Sequence, residues 1–298
     1  MLDQNPHRAR DSLQRFLFEH TAIRGQIVHL GATWRAVLER RQYPSALRAI
    51  LGESMAAAAL MAATTRFAGR LVMQIQGTGP ITLLVVECTS DHIMRATAKW
   101  SGEVPQGPFA AMVGNGKLAI TLEPTEGHER YQGIVELVGQ SIAEALENYF
   151  VHSEQLATRL WVTADDNQAG GMLLQKLPSD TEPIDPDIWT RAVHLGSTIT
   201  QRELLTLPAR HIIHRLYHEE DIRVFDSIPL GFRCSCSRDR VSNALRMLGY
   251  LEVKSILEEQ GRISVDCEFC NQHYGFDPVD VKQIFVTDVI AATPAKIH

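Results

Sequence analysis

Two close pairs of cysteines stand near the C-terminal end of this 298-residue chain. Cys234 and Cys236 flank a single serine, Cys267 and Cys270 flank Glu268 and Phe269, and thirty residues, 237–266, separate the pairs. Of the five cysteines in the chain only Cys88 lies elsewhere. Four thiolates at about 2.3 Å saturate a tetrahedral Zn²⁺ and leave no position for water, so this donor set predicts a structural rather than a hydrolytic site. The spacing predicts one zinc ion, or another thiophilic metal, held by Cys234, Cys236, Cys267 and Cys270. The first pair is unusual. Zinc sites commonly place two to four residues between paired ligands, so a one-residue spacing requires a tight local bend. Arg233, Arg238 and Arg240 flank that pair, and their charge is expected to favour the thiolate and offset an anionic ZnS₄ centre.

The elements that must hold these residues fall into three stretches, which together predict an α+β fold. Residues 1–178 read as a mixed β-sheet domain with packed helices. Leu71, Met73 and Ile75 alternate with more polar neighbours, Gly77-Thr78-Gly79-Pro80 breaks the run, and Ile81 to Val86 resumes it, as two hairpin strands would. Gly114-Asn115-Gly116 reads as a second tight turn leading into a strand over Leu118–Leu122, with Tyr131–Val138 as the next. Pro44 opens an Ala-rich helix over Ser45–Phe67, and Ser141 with Glu144 makes a capping box ahead of Ile142–Phe150.

Residues 179–231 read as a helical linker of short, Pro-punctuated helices. Asp185-Pro186 starts one that Gly196 ends, Thr200 and Glu203 cap the second, and Pro208 opens the third. Their apolar residues, Ile188, Leu204, Leu205, Ile212, Ile213 and Leu216 among them, sit among charged ones, as in amphipathic segments docked on another surface. Five arginines against nine acidic residues put this linker at −4, two-thirds of the chain's net −6. Residues 232–298 form a small C-terminal zinc-binding domain. It lies near the size at which a single core is marginal, so a metal staple has a physical reason to be there.

Composition narrows the function classes. Hydrophobic residues make up 45% and charged residues 21%, ordinary for a soluble globular chain. With 29 Lys and Arg against 35 Asp and Glu there is no basic footprint for a polyanion, and no nucleic-acid partner is expected. The N-terminal stretch has no apolar run after its charges, and the longest small-apolar block, Met55–Ala63, is far shorter than the ~20 residues that span a bilayer. No membrane partner is expected, and the cytoplasm is the expected compartment.

Other residues carry weaker signals. Cys88 follows an apolar strand and is read as a buried free thiol. His211, His214 and His218 share a helix face but lack an accompanying cysteine or a second zincin-type histidine, so they are read as linker surface. Gly77-Thr78-Gly79-Pro80 matches no phosphate-binding glycine pattern and is read as a turn. No nucleophile, base and orienting group stand out together, so no enzyme is predicted.

The run Phe232-Arg233-Cys234-Ser235-Cys236-Ser237-Arg238-Asp239-Arg240, with Cys267-Glu268-Phe269-Cys270-Asn271-Gln272-His273-Tyr274-Gly275-Phe276-Asp277, resembles the redox-regulated chaperones of the thirty-three-kilodalton heat-shock family. Arg24-Gly25, Gly77-Thr78-Gly79-Pro80, Ala169-Gly170-Gly171-Met172-Leu173-Leu174-Gln175 and Leu216-Tyr217-His218-Glu219-Glu220-Asp221 extend the likeness over nearly the whole chain. The resemblance implies an ATP-independent holdase that is zinc-bound and inactive when reduced. It implies that oxidation pairs Cys234 with Cys236 and Cys267 with Cys270, releases zinc, and unfolds the linker and C-terminal domain. The active form would be a homodimer that protects unfolded client proteins during oxidative stress. Two other classes compete: a zinc-ribbon nucleic-acid binder, opposed by the charge, and a thiol-disulfide oxidoreductase, which would set its CxxC beside a βαβ pattern.

Overall fold

The structure is a computed structural model that describes residues 11–65, 68–125, 129–179 and 185–291. Its contacts divide the chain into two units, Met1–Arg233 and Cys234–His298.

In chain order the first unit contains β1 (Ser12–Phe18), β2 (Ile23–Leu30), α1 (Ala32–Leu38), α2 (Ser45–Thr64), β3 (Gly69–Gly77), β4 (Ile81–Thr89), β5 (Ile93–Trp100), α3 (Phe109–Val113), β6 (Gly116–Pro124) and β7 (Tyr131–Glu136). There follow α4 (Ile142–Tyr149), which runs into a π-helical turn over Phe150–Glu154, then β8 (Thr158–Ala164) and β9 (Ala169–Lys176). Next come α5 (Ile188–Gly196), α6 (Gln201–Thr206), α7 (Ala209–Tyr217), β10 (Ile222–Val224), β11 (Ile228–Pro229) and β12 (Gly231–Phe232).

The strands form two six-stranded sheets rather than one. The first runs β10-β1-β2-β9-β8, with β11 also paired to β1, and is antiparallel throughout. The second runs β12-β5-β4-β3-β6-β7 and becomes mixed because β12 joins β5 in parallel. The hairpin expected from the alternation of Leu71, Met73 and Ile75 is present. These residues face Cys88, Val86 and Leu84 on β4 and Leu122, Ile120 and Leu118 on β6, and they lie in the core.

Helix α2 touches strands of both sheets, and its composition explains how. The run Met55-Ala56-Ala57-Ala58-Ala59-Leu60-Met61-Ala62 is buried throughout, because small side chains let a sheet approach each side of the helix. By length and composition α2 could cross a bilayer, but 78% of that stretch is buried within the fold. It ends at Thr64, earlier than the sequence suggested; Arg66 and Phe67 lie outside the described residues. Gly114-Asn115-Gly116 joins α3 to β6 instead of closing a hairpin, since Pro108 caps a short helix over Phe109–Val113.

The face of the first sheet turned away from α2 carries α5, α6 and α7, which the contacts place within the first unit. Phe16, Ile27, Met172 and Leu174 pack there against Ile188, Leu204, Ile213 and Tyr217. The expected capping box at α6 is complete, Thr200 Oγ1 accepting from Glu203 N–H while Glu203 Oε2 accepts from Thr200 N–H. At α4 Ser141 accepts from Glu144 N–H, but Glu144 turns to Gln140 N–H, one residue earlier than a capping box requires. The linker approaches closely. A Cβ at Gly170 on β9 would stand 2.8 Å from the Leu204 carbonyl oxygen, and one at Gly196 would stand 2.9 Å from Trp161 and from the Tyr217 hydroxyl.

The second unit contains α8 (Arg238–Leu248), α9 (Tyr250–Gln260), a hairpin of β13 (Ile263–Asp266) and β14 (His273–Phe276), and α10 (Pro278–Ala291). Its buried core is Leu245, Val253, Ile263, Phe276, Val281 and Ile284. A unit of this size is one in which small domains often rely on a covalent or metal staple.

Candidate metal centre

The two cysteine pairs reach one point by different local devices. Cys267 and Cys270 lie in the turn that joins β13 to β14. There Cys267 N–H donates to the Gln272 carbonyl, Asn271 N–H donates back to the Cys267 carbonyl, and Asn271 adopts a left-handed φ of 57°. Asparagine tolerates that conformation better than most residues. Cys234 and Cys236 lie in the extended segment before α8, where Ser237 caps the helix by accepting from Arg240 N–H.

The four sulfurs lie within 4.8 Å of one another. Cys234 Sγ is 3.6 Å from Cys267 Sγ, and Cys236 Sγ is 3.4 Å from Cys270 Sγ. A tetrahedron with metal–sulfur bonds of about 2.3 Å has sulfur–sulfur edges of about 3.8 Å. These four cysteines could therefore hold a metal ion, and the all-sulfur donor set suits a thiophilic one. Burial pushes the Cys267 thiol up from its ordinary value, while the N–H groups of Phe269 and Cys270 pull it back. The Cys270 thiol is likewise pushed up, first by burial. Thiols reluctant to ionise alone need a cation to draw them into the thiolate form.

The flanking arginines each make contacts of their own. Arg238 donates to the Gly275 carbonyl at 2.8 Å, pairs with Asp280 at 2.8 Å and lies over the Phe276 ring, so it braces β14 and α10. Arg240 donates to Ser235 Oγ, and Arg233 pairs with Asp91. Each guanidinium has found a carboxylate, hydroxyl or ring that satisfies it. The group that does reach the centre is Tyr274 on β14, whose hydroxyl donates to Cys236 Sγ at 3.1 Å. That sulfur in turn holds the hydroxyl proton and pushes the tyrosine's ionisation up to about 12. Tyr274 stood in the sequence run but was given no role. Its place four residues after Cys270, on a strand returning past the turn, is the signal that could have found it.

The remaining candidates stand apart. Cys88 is fully buried on β4, its thiol pushed up to about 12 by burial, as expected for an inert core residue. His211, His214 and His218 lie exposed along α7, the last two with stacked rings. The Gly77–Pro80 segment is a turn between β3 and β4 that docks on the next loop, Gly79 N–H donating to the Val113 carbonyl.

The model of the family described as Hsp33 protein matches residues 11–277. This chain belongs to the Hsp33 family. It is 51% identical over 281 residues to the 33 kDa chaperonin of Methylobacillus flagellatus, covering 94% of this chain and 96% of that relative. The 33 kDa chaperonin of Chromobacterium violaceum is 48% identical over 299 residues, with both chains covered in full. Among solved structures, the 33 kDa chaperonin of Thermotoga maritima superposes with a TM-score of 0.81 over 94% of this chain and 99% of that one. At 23% identity that likeness speaks for the fold alone. In this chain the four clustered thiols lie in the second unit, and α5, α6 and α7 dock on the first sheet within the first unit.

Proposed function

We infer that this protein is a redox-regulated, ATP-independent holdase. Its resident metal is Zn²⁺ and its ligands are Cys234, Cys236, Cys267 and Cys270. The observation that carries the reading is the set of four sulfurs within 4.8 Å of one another, with edges close to those of a ZnS₄ tetrahedron and no other donor required. When bound, zinc closes the four thiolates into one cross-link between the segment before α8 and the turn after β13.

The disulfide pairing, the dimer and the compartment in this reading come from the family likeness, and the energetics from the chain's own residues. In small zinc domains metal binding supplies on the order of 10–16 kcal/mol of folding free energy. Oxidation that pairs Cys234 with Cys236 and Cys267 with Cys270 keeps each sulfur bonded but leaves the two halves unjoined. On the chain-entropy model such tiny loops each contribute about 1.5 kcal/mol, against roughly 3–4 kcal/mol for a bridge across thirty residues. Local oxidation is therefore a poor substitute for the metal, and the second unit loosens. The linker, residues 179–231, is the metastable element between the 1–178 core and the 232–298 switch domain. Its helices are too short to persist without packing, and undocking uncovers Phe16, Ile27, Met172 and Leu174 as apolar surface for unfolded clients. The active form dimerises and works in the cytoplasm during oxidative stress, with neither nucleic acid nor membrane as partner.

The test measures zinc, free thiols and suppression of client aggregation on the same sample before and after peroxide. One zinc per chain, released as thiols disappear and holding activity appears, is expected. A reduced, zinc-loaded protein that holds clients equally well would sink the switch.

A further inference from the structure

The hydroxyl of Tyr274 reaches one of the four sulfurs, Cys236 Sγ, at 3.1 Å. The ring is held firmly. Tyr274 stands opposite Val265 in the β13–β14 register and packs on the apolar centre of the second unit. Two residues on, Phe276 is buried and covered by Arg238, which also grips the intervening Gly275 carbonyl. A donor fixed on a braced strand keeps its geometry while the segment carrying Cys236 is reached by solvent, since that cysteine is only half-buried.

We propose that Tyr274 is a positioning residue for the thiol centre: its hydrogen bond restrains the Cys236 sulfur from attacking electrophiles, so that the four thiols react unequally. The proposal rests on the metal-thiolate reading above. The argument is about one lone pair. With hydrogen peroxide a thiolate sulfur attacks one peroxide oxygen; the S–O bond forms, the O–O bond breaks, and the departing hydroxide takes a proton to become water. A neighbouring thiolate then displaces hydroxide from the sulfenic acid to give the disulfide. The hydroxyl of Tyr274 draws on the electron density that the first step needs. A hydrogen bond to a charged acceptor is among the stronger ones, and loosening it on the way to the transition state slows attack by up to about tenfold.

Full-length protein and Tyr274→Phe, both reduced and loaded with zinc, are compared after their zinc content is measured. Short pulses of iodoacetamide, in which sulfur displaces iodide, are followed by peptide mass spectrometry to give a rate at each cysteine. Tyr274→Phe is expected to raise the rate at Cys236 by about three- to tenfold relative to Cys234 in the same molecules, with Cys267 and Cys270 following Cys234. Val265→Ala thins the packing across the hairpin without touching the hydroxyl, and it is expected to move all four thiols together or none. An unchanged Cys236 rate in Tyr274→Phe, a common rise at all four sites, or the same selective rise in Val265→Ala would overturn the proposal. A wild-type protein without zinc defeats the metal reading instead; the Cys236 ratio, repeated on the reduced protein, still decides the role of Tyr274.

Discussion

Gly170→Ala isolates the docking of the linker from the chemistry of the thiols. The added methyl would sit 2.8 Å from the Leu204 carbonyl oxygen, where carbon–oxygen contacts settle at about 3.3–3.6 Å, so α6 must withdraw by about half an ångström or more. The obstacle is backbone, which cannot swing aside as a side chain would. Gly170 does not occupy the left-handed region, so alanine suits the strand itself and the strain falls on the contact with α6. Overpacking of this kind costs about 1–3 kcal/mol. Against it, α6 offers the burial of Leu204 and Leu205, which are 2% and 8% exposed, about 3–6 kcal/mol together, and those six residues cannot stay helical unaided. At one factor of ten per 1.4 kcal/mol, hydrogen-exchange protection over 201–207 should fall about 5- to 150-fold.

The assay is hydrogen exchange on the reduced, zinc-loaded variant, with client-aggregation suppression measured in parallel. Loss of protection over 201–207, retained protection over 71–138, and holding activity without oxidant are expected. Gly171→Ala is the matched control: its methyl meets the Leu60 and Val162 side chains at 2.9 and 3.0 Å and the Trp161 carbonyl oxygen at 3.3 Å, none of them on α6, so it should lower overall stability without loosening α6 selectively. Unchanged exchange over α6 in Gly170→Ala refutes the contact argument. Selective loss of protection without holding activity refutes the assignment of that face to clients.

Three further outcomes follow from single groups. Cys234→Ser should drop zinc well below one per chain in the reduced protein, measured by metal analysis, because three thiolates no longer close the tetrahedron; near-stoichiometric zinc in the variant contradicts the ligand set. Glu53 on α2 is pushed up from 4.5 to about 7 by burial, so its folded form favours the proton and the fold loses stability as pH rises from 4.5 through 7. Glu53→Gln should then raise the unfolding midpoint at pH 8, by the equivalent of about 2 kcal/mol, and leave it nearly unmoved at pH 4.5. His29 on β2 is held below its usual imidazole range, first by burial, beneath the Leu204 and Leu207 carbonyls of the linker. A lowered folded value means that stability is present above about pH 6.5 and lost as pH falls below it. Exchange over 201–207, corrected for intrinsic rates, should rise between pH 7.5 and 5.5, and His29→Gln should flatten that slope.

What could be read from the chain alone was short-range or carried by a rare donor set. Thr200 with Glu203 lie three residues apart, and the alternation of Leu71, Met73 and Ile75 records one buried face. The cysteines declare themselves because four thiols crowded into one end of a chain have few uses. What escaped was decided by partners distant in sequence. Arg238 stands beside the first cysteine pair in the sequence, and its contacts with Asp280 and the Phe276 ring, dozens of residues away, could not be read there. Nor does the sequence show that Leu204 lies over Gly170 or that the turn carries Tyr274 back to Cys236. The same distinction bears on how the second unit stays folded. Among the described residues six core side chains are buried there, in a unit of a size at which a core alone is marginal, and domains keep only about 5–15 kcal/mol of net stability in any case. A tetrathiolate metal contributing on the order of 10–16 kcal/mol is as large as that whole margin. On the proposed reading, the state of four sulfur atoms would then decide whether such a unit is folded.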